Sequence, residues 1–262
     1  MTMPPRILAI AGSDSSGGAG IQADIKTITM LGGYAMTAIT AVTAQNTLGV
    51  TRIEALSAEM VAAQIDACLS DIGADGIKIG MLGSPEIAAI VAERLEGLPI
   101  PVVFDPVMVA TSGALLADPA TIAGFERLMA LSALATPNLP ELEALTGSDC
   151  STADAINAAT LALVDKYGCA VLAKGGHGQG DRVIDRLVRA DRNFAIFDEP
   201  RIETRHTHGT GCTLSSGIAT YLGMGFRLDD AVEKSRAFVR KAMIAAPGFG
   251  AGHGPMGHQA RR

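Results

Sequence analysis

The chain has no tryptophan, and only three tyrosines and seven phenylalanines among its 262 residues. It has no excess of positive charge: the net charge is −6, which argues against a nucleic-acid binder, a class that usually carries a basic patch. Its four cysteines, Cys68, Cys150, Cys169 and Cys212, form no CxxC and no paired spacing. That excludes a disulfide frame and a cysteine zinc site, and points to a reduced, intracellular chain expected in the cytoplasm. No apolar run is long enough to span a bilayer, and the segment from Met1 to Arg6 does not read as a signal peptide. The five histidines lack metal-ligand spacing and are assigned no role. No linker, internal repeat or low-complexity tract breaks the chain, so residues 1–262 are expected to form a single domain. Its glycine-rich tail, from about Gly248, is expected to be partly loose.

What is present is organised around Thr207-His208-Gly209-Thr210-Gly211-Cys212-Thr213-Leu214. Leu214, Ile218, Tyr221 and Leu222 follow at helical spacing, and Gly223 and Gly225 then stop the helix. The stretch therefore reads as a glycine turn feeding a helix. The first N–H groups of a helix have no intrahelical partner and lie at the positive end of its dipole, a site for a phosphate or for charge developing on one. Gly209, Thr210 and Gly211 are the candidate anion hole. Cys212 sits among these donors, so its thiol is expected to have a lowered pKa. The plain alternative is a capped helix with a buried cysteine.

Around this stretch, strands and helices alternate. Arg6 to Ala11 is a continuous apolar run of the kind found in buried parallel strands. A glycine-rich turn, Gly12 to Gly20, follows, and then a helix from about Ala19 to Leu31. The turn lacks both the GxGxxG and the GxxxxGK[ST] pattern, which excludes a dinucleotide fingerprint and a Walker loop. Tyr34 to Ala44 and Val50 to Ala55 are expected to pair as a small β flap. Ser84 and Pro85 are placed as N-cap and first residue of a helix. The last helix is expected over Leu228 to Ala245, with acidic residues first and basic residues last. The fold expected is α/β: a doubly wound, mostly parallel sheet flanked by helices. In such folds the turns after the strands collect at one edge, where sites form. Here those turns carry Asp14, Gln45, Met81, Asp105, Asn138, Lys174 and Thr210. The Gln45 amide can donate and accept in one plane, as needed to read a heterocycle edge, or it can simply end a strand.

The segments AIAGSDSSGGAGIQADIKT, TAVTAQNTLGV, IKIGMLGS, VVFDPVMVATSG, TPNLPE, AKGGH and THGTGCTLSS occur in an order that resembles the hydroxymethylpyrimidine/phosphomethylpyrimidine kinases, members of the ribokinase-like superfamily. The resemblance runs from Leu8 to about Ala245. It implies ATP-dependent phosphorylation of 4-amino-5-hydroxymethyl-2-methylpyrimidine and then of its monophosphate, in thiamine biosynthesis, with Mg²⁺ and as a homodimer. It implies Cys212 as the base beside the anion hole, and Gln45 as the reader of the pyrimidine. Gly12, Asp24, Met81 and Val107 would line the substrate pocket. Lys174, Thr207, Asp105 and Asn138 would serve the nucleotide, and Glu141 the Mg²⁺. Each residue also has a plain reading: Asp24 a solvated helix face, Met81 and Val107 core, Asn138 a helix cap with Glu141 in the first turn. Ser15 stands where many members have proline, which is expected to loosen the loop. Thr111 stands where many have lysine, which puts the second phosphorylation in question. Two rival readings are a pyridoxal kinase of the same superfamily and a non-catalytic pyrimidine-binding regulator.

Overall fold

The computed structural model describes residues 3–109, 113, 116–178 and 180–259; Thr111 lies outside them. The Arg6–Ala11 run forms β1 (Arg6–Asp14), which continues through Gly12 and Ser13 and ends three residues beyond the predicted strand. Helix α1 (Gly20–Met30) follows. The flap is present as an antiparallel hairpin of β2 (Tyr34–Asn46) and β3 (Gly49–Ala55). Helix α2 (Ala58–Ala67) ends in one π-helical turn, Cys68–Ile72, and β4 (Gly76–Ile79) follows. Ser84 caps α3 (Pro85–Leu95), its side chain accepting from the Ile87 N–H. Next come β5 (Val102–Phe104), α4 (Pro119–Leu131), β6 (Leu134–Ala135), α5 (Leu139–Thr146), α6 (Ala153–Tyr167) and β7 (Ala170–Ala173). The antiparallel pair β8 (Arg182–Val188) and β9 (Phe194–Pro200) precedes α7 (Thr210–Gly223) and α8 (Leu228–Ile244).

These strands make one sheet in the order β3-β2-β1-β4-β5-β6-β7-β8-β9. The six strands from β2 to β7 are parallel, and antiparallel strands close both edges. Successive side chains of a strand point to opposite faces. Leu8 and Ile10 of β1 accordingly join Val61, Val91, Phe125 and Leu163 from α2, α3, α4 and α6. Ile7 and Ala9 join Ile28, Ile218 and Val232 from α1, α7 and α8. The doubly wound sheet is thus sandwiched between two helical layers. Each fully buried Leu or Ile contributes about 1.5–3 kcal/mol of apolar transfer energy.

The tail does not behave as its glycine content predicted. Within the described residues it runs back across the molecule. The Gly252 N–H reaches Thr47 Oγ1 at 3.3 Å, the Gly254 carbonyl accepts from the His208 N–H, and the Gly257 N–H donates to the Ala242 carbonyl. Met256 and His258 are buried. Glycine here allows close backbone approach: a Cβ on Gly252 would stand 2.1 Å from the Thr47 carbonyl oxygen.

Candidate active site

A cleft of about 970 Å³ opens along the carboxyl ends of β1, β2, β4, β5 and β7 and over the start of α7. Of the residues singled out from the sequence, Gly12, Gln45, Met81, Val107, Asp105, Asn138, Glu141, Lys174, Thr207, Gly209, Thr210, Gly211 and Cys212 all line it. Gly209 is the N-cap of α7 with φ 86°, and an added Cβ would lie 1.9 Å from the Gly18 carbonyl oxygen. Only glycine lets the glycine-rich turn after β1 come this close to α7. The helix start leaves the N–H groups of Gly211 and Cys212 without intrahelical partners. Asp105 Oδ2 and Lys174 Nζ stand at the open side of Gly211, each 3.3 Å from where its Cβ would be.

Lys174 Nζ lies 2.6 Å from Asp105 Oδ1, which also accepts from Thr136 Oγ1 at 2.9 Å. Burial alone would lower the lysine's pKa, but Asp105 and Glu141 outweigh it and raise it, so the ammonium is kept. Asn138 and Glu141 form a reciprocal capping box at the start of α5: the Glu141 N–H donates to Asn138 Oδ1 at 2.9 Å, and the Asn138 N–H donates to Glu141 Oε2 at 2.8 Å. The capping reading of this pair holds, and the same two residues line the cleft. Burial, reinforced by Asp105 and opposed by Lys174, pushes the Glu141 carboxyl up to about 7. Among the described residues no group of three or more His, Cys, Asp or Glu could hold a metal. A Mg²⁺ fits differently, as that ion normally takes one or two carboxylates and fills its shell with water and substrate phosphates. Glu141 and Asp105 are the carboxylates that line the cleft beside Lys174 and the start of α7.

Three expectations are corrected. The Cys212 thiol is not lowered but pushed up to about 11, because burial penalises the thiolate, and Asp24 and Asp105 add to that. The Lys78 ammonium and the Gly20 N–H pull the other way without prevailing. Asp24 is neither a solvated residue nor a pocket residue. It is fully buried behind Lys78, with Asp24 Oδ2 2.9 Å from Lys78 Nζ and Asp24 Oδ1 accepting from Ser216 Oγ at 2.6 Å. Lys78, itself fully buried, is the member of this group that forms part of the cleft's wall. Ser15 does not loosen its loop: its hydroxyl donates to the Gln45 carbonyl and accepts from the Gln45 N–H, each at 2.8 Å.

Sequence reasoning placed Asp14 at the site's edge without assigning it a role, and missed Lys78 and His208. Asp14 ends β1 and accepts from Ser16 N, Ser16 Oγ, Gly18 N and Ala19 N. Its Oδ2 lies 2.8 Å from Nε2 of the buried His208. Burial resists ionisation of Asp14, but hydrogen bonds from His208, Ser16 and Ala19 outweigh it and hold the carboxyl down at about 2. The signal available for Lys78 was its place inside an apolar strand, Gly76-Ile77-Lys78-Ile79, where a charge requires a partner.

A sheet of this topology, with a glycine turn feeding a helix and a buried lysine at its carboxyl edge, is that of the ribokinase-like small-molecule kinases. Consistent with that class, the structure superimposes on the pyridoxal kinase of Staphylococcus aureus in complex with AMP-PCP and pyridoxal, with a TM-score of 0.89, 31% identity, and coverage of 98% of this chain and 94% of that one. Within the class, the chain belongs to the phosphomethylpyrimidine kinase family, whose model matches residues 14–257. It is 46% identical over 255 residues to the hydroxymethylpyrimidine/phosphomethylpyrimidine kinase of Rhizobium meliloti, covering 96% of each chain. It is also 46% identical over 254 residues to the thiamine biosynthesis bifunctional protein ThiED of Geobacter sulfurreducens. There the match covers 96% of this chain but 52% of the longer relative, so the chain spans about half of that protein.

Proposed function

We infer that this chain uses ATP to phosphorylate the hydroxymethyl group of 4-amino-5-hydroxymethyl-2-methylpyrimidine, and then the resulting monophosphate, as a step of thiamine biosynthesis. The observation that carries this reading is that one cleft is lined both by Gln45 and by the Gly209–Cys212 helix start with Lys174. Phosphoryl transfer asks mainly for positioning and charge stabilisation. The backbone N–H groups of Gly211 and Cys212 face charge that develops on the transferring phosphoryl. The Lys174 ammonium, held by Asp105, neutralises phosphate charge beside them. Gln45 orients the ring, with Met81 and Val107 against it. Gly12 leaves the room that Met81 occupies, since a Cβ there would stand 2.7 Å from Met81 Cε. Thr207 and Asn138 border the nucleotide side.

Cys212 is the proton acceptor for the alcohol step, its thiolate favoured locally by Lys78. Mg²⁺, held by Glu141 and Asp105 with the nucleotide's phosphates, would neutralise charge on those phosphates. The described residues contain no helix long and apolar enough to cross a membrane. We place the protein in the cytoplasm, in keeping with its free thiols, and as a homodimer.

The likeness to the Staphylococcus aureus enzyme keeps one second reading in view, phosphorylation of pyridoxal, which also carries a hydroxymethyl group on a six-membered nitrogen ring. The deciding experiment incubates the protein with ATP, Mg²⁺ and each candidate alcohol separately, and reads mono- and diphosphate products by mass spectrometry. Diphosphate from the pyrimidine supports the reading. Product from pyridoxal alone replaces it, and no ADP release with either compound favours a non-catalytic binding protein.

A further inference from the structure

The ring-reading end of the cleft holds a hydrogen-bond puzzle with one solution. Asp14 collects two donors from Ser16, one from Gly18 and one from Ala19, so it is a carboxylate and can only accept. The His208 Nε2 atom, 2.8 Å from Asp14 Oδ2, must therefore carry the ring's hydrogen and donate. One terminus of the Gln45 amide, placed as Nε2, lies 3.3 Å from that same His208 nitrogen. An NH₂ group there would face an N–H, donor against donor. The amide oxygen has to occupy this terminus, accepting a share of the His208 hydrogen.

The other terminus leads to the same answer independently. It lies 3.1 Å from Thr43 Oγ1, which is also 3.0 Å from the Ser13 carbonyl oxygen. A hydroxyl has one hydrogen, and the Ser13 carbonyl can only accept. That hydrogen goes to Ser13, leaving Thr43 Oγ1 to present a lone pair to Gln45, which calls for the amide NH₂. Oxygen and nitrogen of an amide are told apart only by such partners, and here both partners agree.

The frame that imposes this direction is rigid. The Gln45 main chain is pinned on both sides by Ser15 and sits at a register shift between Ala44 and Gln45 in the β2–β3 pairing. The Cδ2 edge of the His208 ring abuts the glycine-rich turn, where a Cβ on Gly18 would fall 2.3 Å from His208 Cδ2. With each amide end satisfied once from behind, Gln45 offers the cleft one lone pair on the His208 side, next to the start of α7. On the Thr43 side it offers one N–H.

We propose that His208, held by Asp14, is a positioning residue that locks the direction of the Gln45 amide and thereby selects a ring bearing an amino group next to the carbon that carries the reacting hydroxymethyl. This rests on the pyrimidine-kinase reading above. In the aminopyrimidine, with the alcohol aimed at α7, the exocyclic NH₂ falls opposite the Gln45 oxygen and the neighbouring ring nitrogen opposite its NH₂. A pyridoxine-type ring offers a C–H or a carbon substituent where that amino group stands. The reversed amide would oppose donor to donor and acceptor to acceptor.

Two measurements test this. In the free wild-type protein, NOEs from the Gln45 side-chain amide protons are expected to the Thr43 methyl and not to the His208 ring; the reverse pattern overturns the proposal whatever the substrate proves to be. In the second, kcat/KM is compared for the aminopyrimidine alcohol and its analogue lacking the amino group. Wild type should favour the amino compound by about 10- to 100-fold, what leaving a buried acceptor unpaired costs. His208→Phe, which keeps ring volume and loses the N–H, should shrink the ratio to within a few-fold while leaving the KM for ATP unchanged. Thr43→Val, which acts at the opposite amide end without touching the ring, should erode it as well. A ratio preserved in both variants, even with both rates reduced, overturns the proposal. Wild type that phosphorylates neither compound sinks the functional reading instead, and the NOE pattern then decides the amide direction alone.

Discussion

Lys78 Nζ and Asp24 Oδ2 are 2.9 Å apart, and neither side chain touches solvent. The pair joins the centre of the sheet to α1, and Ser216 ties the same carboxylate to α7. Removing one member strands a buried charge, which typically costs about 3–5 kcal/mol, whereas removing both can cost much less. Lys78→Met is therefore expected to lower unfolding stability by about that amount in urea titrations, and Lys78→Met with Asp24→Leu to recover most of it. Equal losses in the single and double variants would show that Asp24 had no need of its partner.

The high position of the Cys212 thiol, at about 11, changes what a base role predicts. At neutral pH the thiolate is scarce, so kcat/KM for the alcohol step should climb steadily between pH 7 and 10 as it forms. The phosphate step should lack this climb, because a phosphate monoester, with a second pKa of about 6, is already largely a dianion at pH 7. Cys212→Ala is expected to reduce the alcohol step by about 10²–10⁴-fold, to flatten its pH profile, and to spare the phosphate step by comparison. Equal losses in both steps would make Cys212 a shape-giving residue only.

Glu141→Gln isolates the charge at this position from its structural task. Glutamine keeps an oxygen that can accept from the Asn138 N–H, so the cap of α5 survives. The Mg²⁺ concentration for half-maximal activity should rise by about 10–100-fold, the usual effect of losing a supporting group at a metal. The KM for the pyrimidine should move little. A Mg²⁺ titration that overlays wild type removes Glu141 from the metal's surroundings.

Asp14 supplies a pH signature in stability. Its carboxyl is held at about 2, below the ordinary 3.8, so its ionised form favours the folded state. That contribution is complete above about pH 5 and is lost as pH falls toward 2. Asp14→Asn should therefore be less stable than wild type by about 2 kcal/mol above pH 5, the worth of a charge-assisted hydrogen bond, and the two should converge near pH 2. A gap that stays constant across the acid range would mean that shape, and not charge, is what Asp14 contributes.

Elements specified by neighbours in sequence were readable without coordinates. The RILAIA strand, the Ser84-Pro85 helix start and the Leu228–Ile244 helix all rest on local periodicity and capping. The Gly209–Cys212 turn was readable for the same reason. Contacts across the chain were not. Asp24 and Lys78 are 54 positions apart, and Asp14 and His208 are 194 apart, so no local pattern pairs them. Cys212 was misjudged because the helix dipole can be read from sequence, whereas the desolvation that overrides it cannot. The tail was misjudged because glycine means entropy in isolation, yet in contact with Thr47 it means proximity.

That tail braces the cleft from behind. The Gly254 carbonyl accepts from the N–H of His208, the residue just before the glycine turn, and His258 Nε2 sits 2.8 Å from Thr213 Oγ1 within the first turn of α7. Residues remote in sequence thus buttress the helix start from the side away from the cleft. A substitution at Gly254 or His258 would be transmitted to the cleft through the backbone it supports, without any contact of its own to a ligand.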